Sequence, residues 1–153
     1  MSKNKTKNVS TKGSGLDLET IRSMAEKCPE LVACGFGCDL DYSVESLRCL
    51  DSVIDTLRNK AVDFKTNIAN LVVLTCGCYA GEVLVRAFGG SWVFVPDEAR
   101  EVVSFGWSVK LGRGFTNPIS KAFERFREGD EHSLYVFAVV CKKICVDGVF
   151  AFG

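Results

Sequence analysis

The stretch Leu71–Val85 (LVVLTCGCYAGEVLV) constrains the fold more than any other, because it is apolar nearly all the way round a helix. A helix with no continuous polar face must be packed on several sides. The helical pattern around it runs from about Asp63 to Phe88 and predicts a central helix surrounded by the rest of the chain. Gly77 and Gly81 lie one turn apart in it. Each costs about 1 kcal/mol relative to alanine in a helix, and close approach of another backbone would explain that cost. No apolar run approaches the ~20 residues of a bilayer span. Thr75 interrupts Leu71–Gly81, Glu82 follows it, and Leu134–Cys141 has only eight residues, so no membrane association is expected.

Leu16–Cys28 reads as a first helix closed by Pro29, and Val32–Asp39 (VACGFGCD) as a glycine-rich connector or short irregular strand. Ser43 is a good N-cap for a second helix, about Val44–Arg58, in which Leu47, Leu50, Ile54 and Leu57 form one apolar face. Arg48, Asp51, Asp55 and Arg58 fall off that stripe and read as a solvated face. Gly89-Gly90 ends the central helix. Ser91–Val95 and Glu101–Leu111 read as antiparallel strands joined by a turn at Pro96–Arg100, with a bulge at Gly106. Gly112–Asn117 reads as a loop, Pro118–Glu128 as a helix with proline in its first turn, and Ser133–Cys145 as a last helix after the Gly129-Asp130 break. Val149–Gly153 is apolar and short, either a strand or a cover for the core. Helices, a hairpin, then helices make the class α+β. At 153 residues this is one domain, spanning residues 16–153 behind a disordered basic tail at residues 1–15.

That tail holds four lysines, no acid and no apolar stretch of the kind a secretory signal needs, which points to the cytoplasm. Without its lysines, fifteen of the nineteen bases face nineteen acids, so a basic nucleic-acid face is not expected. Eight cysteines are many for such a chain, but a reducing compartment keeps them as thiols. Their spacing contains no C-x2-C pair, and His132 is the only histidine. Most therefore read as core thiols, and no cofactor is expected. Zinc is the alternative, with Cys34, Cys38, Cys76, Cys78, Cys141 and Cys145 as candidate ligands, the last two one helical turn apart.

Two constellations could bind something. Glu82 and Arg86 are four residues apart on the central helix with Tyr79 beside them, which gives either a structural ion pair or the wall of a pocket. The segment KLGRGFTNPISK places Arg113 and Lys121 around a strand, a glycine turn and a helix start, which gives either a tight turn capped by Asn117 or an anion site. Nucleophilic catalysis lacks support, since the sole histidine sits in a charged turn (EGDEHS) and reads as a surface or capping residue. Asp39 with Asp41, and Asp97 with Glu98, read as turn acids. Trp92 and Phe94 share one strand face and Phe105 and Trp107 another, so one pair is expected in the core and the other exposed for a partner.

The run Leu40-Asp41-Tyr42-Ser43, then Gly77-Cys78-Tyr79-Ala80-Gly81-Glu82 with Arg86, Gly89-Gly90 and Trp92, and finally Pro118, Lys121 and Gly129 to Tyr135, resembles a group of small bacterial domains of unknown function. Their middle reads G-x-Y-x-G-E-x-x-x-R, then G-G-x-W. The resemblance covers about Leu40–Tyr135 and implies a single cytoplasmic α+β domain with Glu82, Arg86 and Trp92 at its polar and aromatic centre. Some similar proteins are immunity-like. The expected function is a non-catalytic protein-binding domain whose partner is another protein, with oligomeric state left open. A cysteine-ligated metal or redox protein, and a small-ligand or enzymatic pocket around Glu82 and Arg86, are the alternatives.

Overall fold

In a computed structural model, residues 16–60, 67–95 and 106–148 are described. They form five α-helices and a three-stranded antiparallel sheet, an α+β fold. The helices are α1 (Leu18–Phe36), α2 (Leu47–Asn59), α3 (Asn67–Phe88), α4 (Pro118–Glu128) and α5 (Leu134–Cys141). The strands are β1 (Ser91–Phe94), β2 (Trp107–Leu111) and β3 (Gly114–Thr116), in the order β1-β2-β3. A short 3-10 turn, Val44–Ser46, leads into α2, and a π-helical turn, Lys142–Val146, continues α5.

Helix α3 is the centre, as its composition requires. Val73, Cys76, Cys78, Tyr79, Val83 and Leu84 are all fully buried. It packs most extensively on α4 and α1 and carries β1 and β2 near its C-terminal end. By length and composition Ile68–Phe88 could cross a membrane, but 61% of that window is buried inside the protein. The two glycines are where α4 arrives. A Cβ on Gly77 would lie 2.7 Å from the Cα of Ile119, and one on Gly81 would overlap the Trp92 ring and meet Pro118 at 3.1 Å. Overpacking of this kind costs about 1–3 kcal/mol, which exceeds the helix-propensity cost of glycine.

Several local expectations are corrected. Helix α1 does not stop at Pro29 but runs on to Phe36, where Gly37 takes the left-handed cap, so Val32–Phe36 is helix and not connector or strand. Proline at position 29 removes the N–H that would bond the carbonyl of Ala25. The Tyr42 hydroxyl donates to that carbonyl at 3.0 Å and replaces the missing partner. Ser43 does cap as expected, its hydroxyl accepting from the Ser46 amide, but the first turn of the second helix is 3-10. Gly112–Asn117 is not a plain loop. Gly112, at φ +55°, is the first central residue of a two-residue hairpin turn, and β3 follows it with Leu111 opposite Gly114. Asn117 makes no side-chain cap on α4; its Oδ1 accepts instead from the buried Ser108 hydroxyl at 2.7 Å. The last helix is α-helical only to Cys141. The turn expected at Pro96–Arg100, the strand start at Glu101–Phe105, residues 1–15 and Val149–Gly153 lie outside the described residues.

Both tryptophans are core residues. Trp107 faces Phe94 across β1 and β2 with ring centroids 5.2 Å apart, and Trp92 lies over Gly81. Neither tryptophan is exposed, and among the described residues the exposed aromatic is Phe115 on β3, 58% accessible.

Tyr42→Phe should destabilise the fold by about 1–3 kcal/mol, because it leaves a carbonyl of α1 without its donor. The same substitution in a Pro29→Ala background should cost much less, since the backbone amide of residue 29 is restored. Urea denaturation of the four proteins of this cycle measures the coupling.

Candidate functional site

The residues of the G-x-Y-x-G-E-x-x-x-R…G-G-x-W pattern do come together. Glu82 Oε2 accepts from Arg86 Nε at 3.3 Å, and its Oε1 accepts from Trp92 Nε1 at 3.4 Å. The Arg86 guanidinium lies 3.7 Å over the Tyr42 ring, and Tyr42 stacks on Tyr79 with centroids 4.8 Å apart. Tyr42 holds φ +66°, a strained conformation for a side chain of this size. Its N–H donates to the Tyr79 hydroxyl at 2.7 Å, which fixes it there. Ser46 donates its one proton to the Ser43 carbonyl at 2.6 Å, so Tyr79 must be the donor in the 2.7 Å bond between Tyr79 and Ser46. The result is a chain of oriented hydrogen bonds running from the Tyr42 amide to the Ser43 carbonyl. Burial pushes the Tyr79 phenol up to about 12. These contacts, with the Tyr42 hydroxyl on the Ala25 carbonyl, tie α1, the 3-10 turn, α3 and β1 together.

Arg113 and Lys121 belong to a different place. Arg113 is exposed in the turn between β2 and β3, and Lys121 lines an open groove of about 430 Å³. Phe115, Thr116 and Asn117 form one end of this groove. Ser120, Lys121 and Glu124 of α4 form one wall, and Phe137, Val140, Cys141, Ile144 and Cys145 form the other. Phe115, Val140 and Ile144 are large apolar side chains that remain 42–58% exposed. At the polar end Lys121 Nζ donates to His132 Nδ1 at 3.2 Å and pairs with Glu124 at 3.4 Å. His132 Nε2 bonds Glu128 Oε1 at 2.7 Å, and the tautomer that satisfies both contacts carries its proton on Nε2. At the floor the Cys141 thiol donates to Thr116 Oγ1 at 3.6 Å. Burial raises the Cys141 pKa above the usual thiol value, so this sulfur is a protonated donor and not an activated nucleophile. The hairpin turn seals this end against the π-helical turn, since a Cβ on Gly114 would lie 2.8 Å from Cys145 Sγ.

What holds the two walls in place is a charge cluster that the sequence pattern placed on a solvated face. Arg125 of α4 is 4% exposed. Its Nε donates to Asp51 Oδ1 at 3.2 Å and its Nη2 to Asp55 Oδ2 at 2.9 Å. Its Nη1 lies 3.3 Å from Asp130 but is not aligned to donate to it. Asp51 also caps α5 from outside that helix, accepting from the Ser133 hydroxyl at 2.7 Å, the Leu134 amide at 2.8 Å and the Tyr135 amide at 3.3 Å. Arg58, on the same face of α2, donates to the Phe126 carbonyl at 2.7 Å near the end of α4. Asp51, Asp55 and Arg58 sit at i, i+4 and i+7, a second stripe on α2 that could have been read as partner-facing. Nothing in the sequence named Arg125 as that partner.

All eight cysteines are free thiols. The six candidate metal ligands are not gathered. Cys34 is exposed, Cys38 contacts Cys49, the buried Cys76 contacts Cys28, Cys78 is buried on α3, and Cys141 and Cys145 line the groove. Among the described residues, the one group of three His, Cys, Asp or Glu ligand atoms within 4.8 Å of one another is Glu128, Glu131 and His132. It contains no cysteine and is largely exposed.

Asp51→Ala should destabilise the protein by about 3–5 kcal/mol, because it strands a buried guanidinium and uncaps α5. Asp55→Ala should cost about 1 kcal/mol or less, its side chain being 42% exposed. Chemical denaturation of the two variants checks the order. A second expectation concerns pH. The folded Tyr79 holds its proton more tightly than the unfolded tyrosine, whose pKa is near 10.0, so its contribution is full below pH 10 and is lost as pH rises to about 12. Tyr79→Phe should flatten that part of the stability profile, measured by urea midpoints between pH 9 and 12. Comparison of this chain with protein-family models, curated protein sequences and solved structures finds no match.

Proposed function

We propose that this chain is a non-catalytic protein-binding domain and that the groove between β3, α4 and α5 is its binding surface. The supporting observation is the set of large apolar side chains left open there, Phe115, Val140 and Ile144, around a volume of about 430 Å³. Apolar groups of this size are normally covered, and a concave exposed patch is the usual mark of a docking site. The Glu82–Arg86–Trp92 cluster supports the reading indirectly. Glu82 joins Trp92 of β1 and Arg86 to α3, so the cluster stiffens the body that presents the groove. A second apolar recess between α1 and α3, lined by Met24, Leu31, Leu71 and Val72, is smaller at about 250 Å³. Its one lining hydroxyl, on Thr75, is committed to the Leu71 carbonyl, which leaves Lys27 as its remaining polar lining group.

A photoreactive phenylalanine analogue placed at Phe115 tests the reading in extract of the source cells. The expected result is a discrete adduct with another protein that disappears when Val140→Glu is added, while the same analogue at the exposed Glu30 of α1 gives none. Adducts that are indifferent to Val140→Glu, or no adduct, would overturn the proposal. Circular dichroism confirms that the variant, changed at a position already 45% exposed, is folded.

A further inference from the structure

The walls of the groove are apolar, but the elements at its hairpin end carry charge of one sign. The β2–β3 hairpin, residues 107–116, contains Lys110 and Arg113 and no acid. The π-helical turn Lys142–Val146 contains Lys142 and Lys143, and the one acid beside them is Asp147 at its C-cap. These two elements touch, since Gly112 and Gly114 pack on Cys145. All four bases are exposed, and among the described residues none has an ion-pair partner, whereas Lys121, deeper in the groove, is paired with Glu124. Four unpaired cations beside an apolar cleft repel one another and favour a ligand that brings carboxylates.

β3 adds a feature specific to peptides. Among the described residues it pairs with β2 on one side only. Phe115 falls between the Leu111–Gly114 pair that closes the turn and the Val109–Thr116 pair. In antiparallel alternation its N–H and C=O therefore point away from β2, where an added strand could meet them. Glu124 in the groove lining argues against a nucleic acid, whose phosphates recur along its whole length, while a peptide can keep its acids at the rim.

Resting on the protein-binding reading above, we infer that the partner segment is an acidic peptide that places apolar side chains between Phe115, Val140 and Ile144 and its carboxylates toward Arg113, Lys142 and Lys143. The test is selection of a random-peptide phage library on the immobilised full chain, with the Val140→Glu protein selected in parallel. The expected outcome is enrichment, on the wild-type protein only, of peptides with net negative charge and paired apolar residues. A selected peptide should then lose about tenfold in affinity for a Lys142→Glu/Lys143→Glu protein, with the loss shrinking at high salt. Enrichment of neutral or basic peptides, still sensitive to Val140→Glu, overturns the acidic partner and leaves the groove standing. No enrichment above the Val140→Glu protein overturns the groove reading and this inference with it, as does binding of single-stranded oligonucleotides with no peptide enriched.

Discussion

The Asp51–Arg125 contact is the constraint on which the geometry of the second half of the molecule depends. One carboxylate on α2 holds a guanidinium on α4 and the first three donors of α5 at the same time. A buried ion pair alone is weak evidence for stability, because desolvation offsets most of its attraction. This one is different in kind. Its oxygens replace hydrogen bonds that the start of α5 would otherwise lack, and its guanidinium fixes α4 at the point where α4 turns into α5. The separation of those two helices is the width of the groove, so a feature with no ligand of its own sets the shape of the surface that could receive one.

The central helix solves a second problem with glycine. Packing α4 onto α3 at backbone distance requires positions with no side chain, and Gly77 and Gly81 supply them under Ile119 and Trp92. Close approach leaves no room for water, so polar groups near the contact need protein partners. Glu82, Trp92, Tyr42 and Tyr79 find such partners, with the half-exposed Arg86 at their outer edge. The same economy recurs at Pro29, where a proline inside α1 is tolerated because the Tyr42 hydroxyl takes the orphaned carbonyl. Tyr42 thus couples a strained backbone, a proline and an ion pair, and these three features make sense only together.

Much of this was legible in the sequence where the cause is local or periodic. The all-round apolar run marked the central helix, Ser43 marked the cap of the turn leading into α2, and Pro118 marked the start of α4. The glycine spacing pointed to close packing. Legibility failed wherever a distant residue supplied the partner. Pro29 reads as a stop until Tyr42 is seen thirteen positions on, and Asn117 reads as a cap until Ser108 takes its oxygen. Asp51, Asp55 and Arg58 read as solvated until Arg125 and Phe126 arrive some seventy positions later. The strand pattern could not say that Trp92 and Trp107 both face inward, because that depends on the register between the strands, which alternation along one strand does not fix. The sequence pointed to Asn117, Lys121, Cys141 and Cys145 separately but not to the groove they line, since its walls come from elements that meet only in the fold.

The contrast between the two polar regions bears on where function sits. Around Tyr79 and around Arg125, charged and hydroxyl groups face one another at hydrogen-bond distance, and disturbing any of them disturbs the fold. Around the groove the balance is reversed. The side chains at its rim are exposed, and among the described residues the cations on the hairpin and the π-helical turn have no ion-pair partners and Phe115 stands on an edge strand. Groups that stabilise nothing in the isolated chain are free to interact with something else at little conformational cost, because the elements carrying them are already fixed by the clamp below. That contrast between a tied interior and an open, apolar-walled cleft is what supports the proposed reading of the cleft as a binding surface.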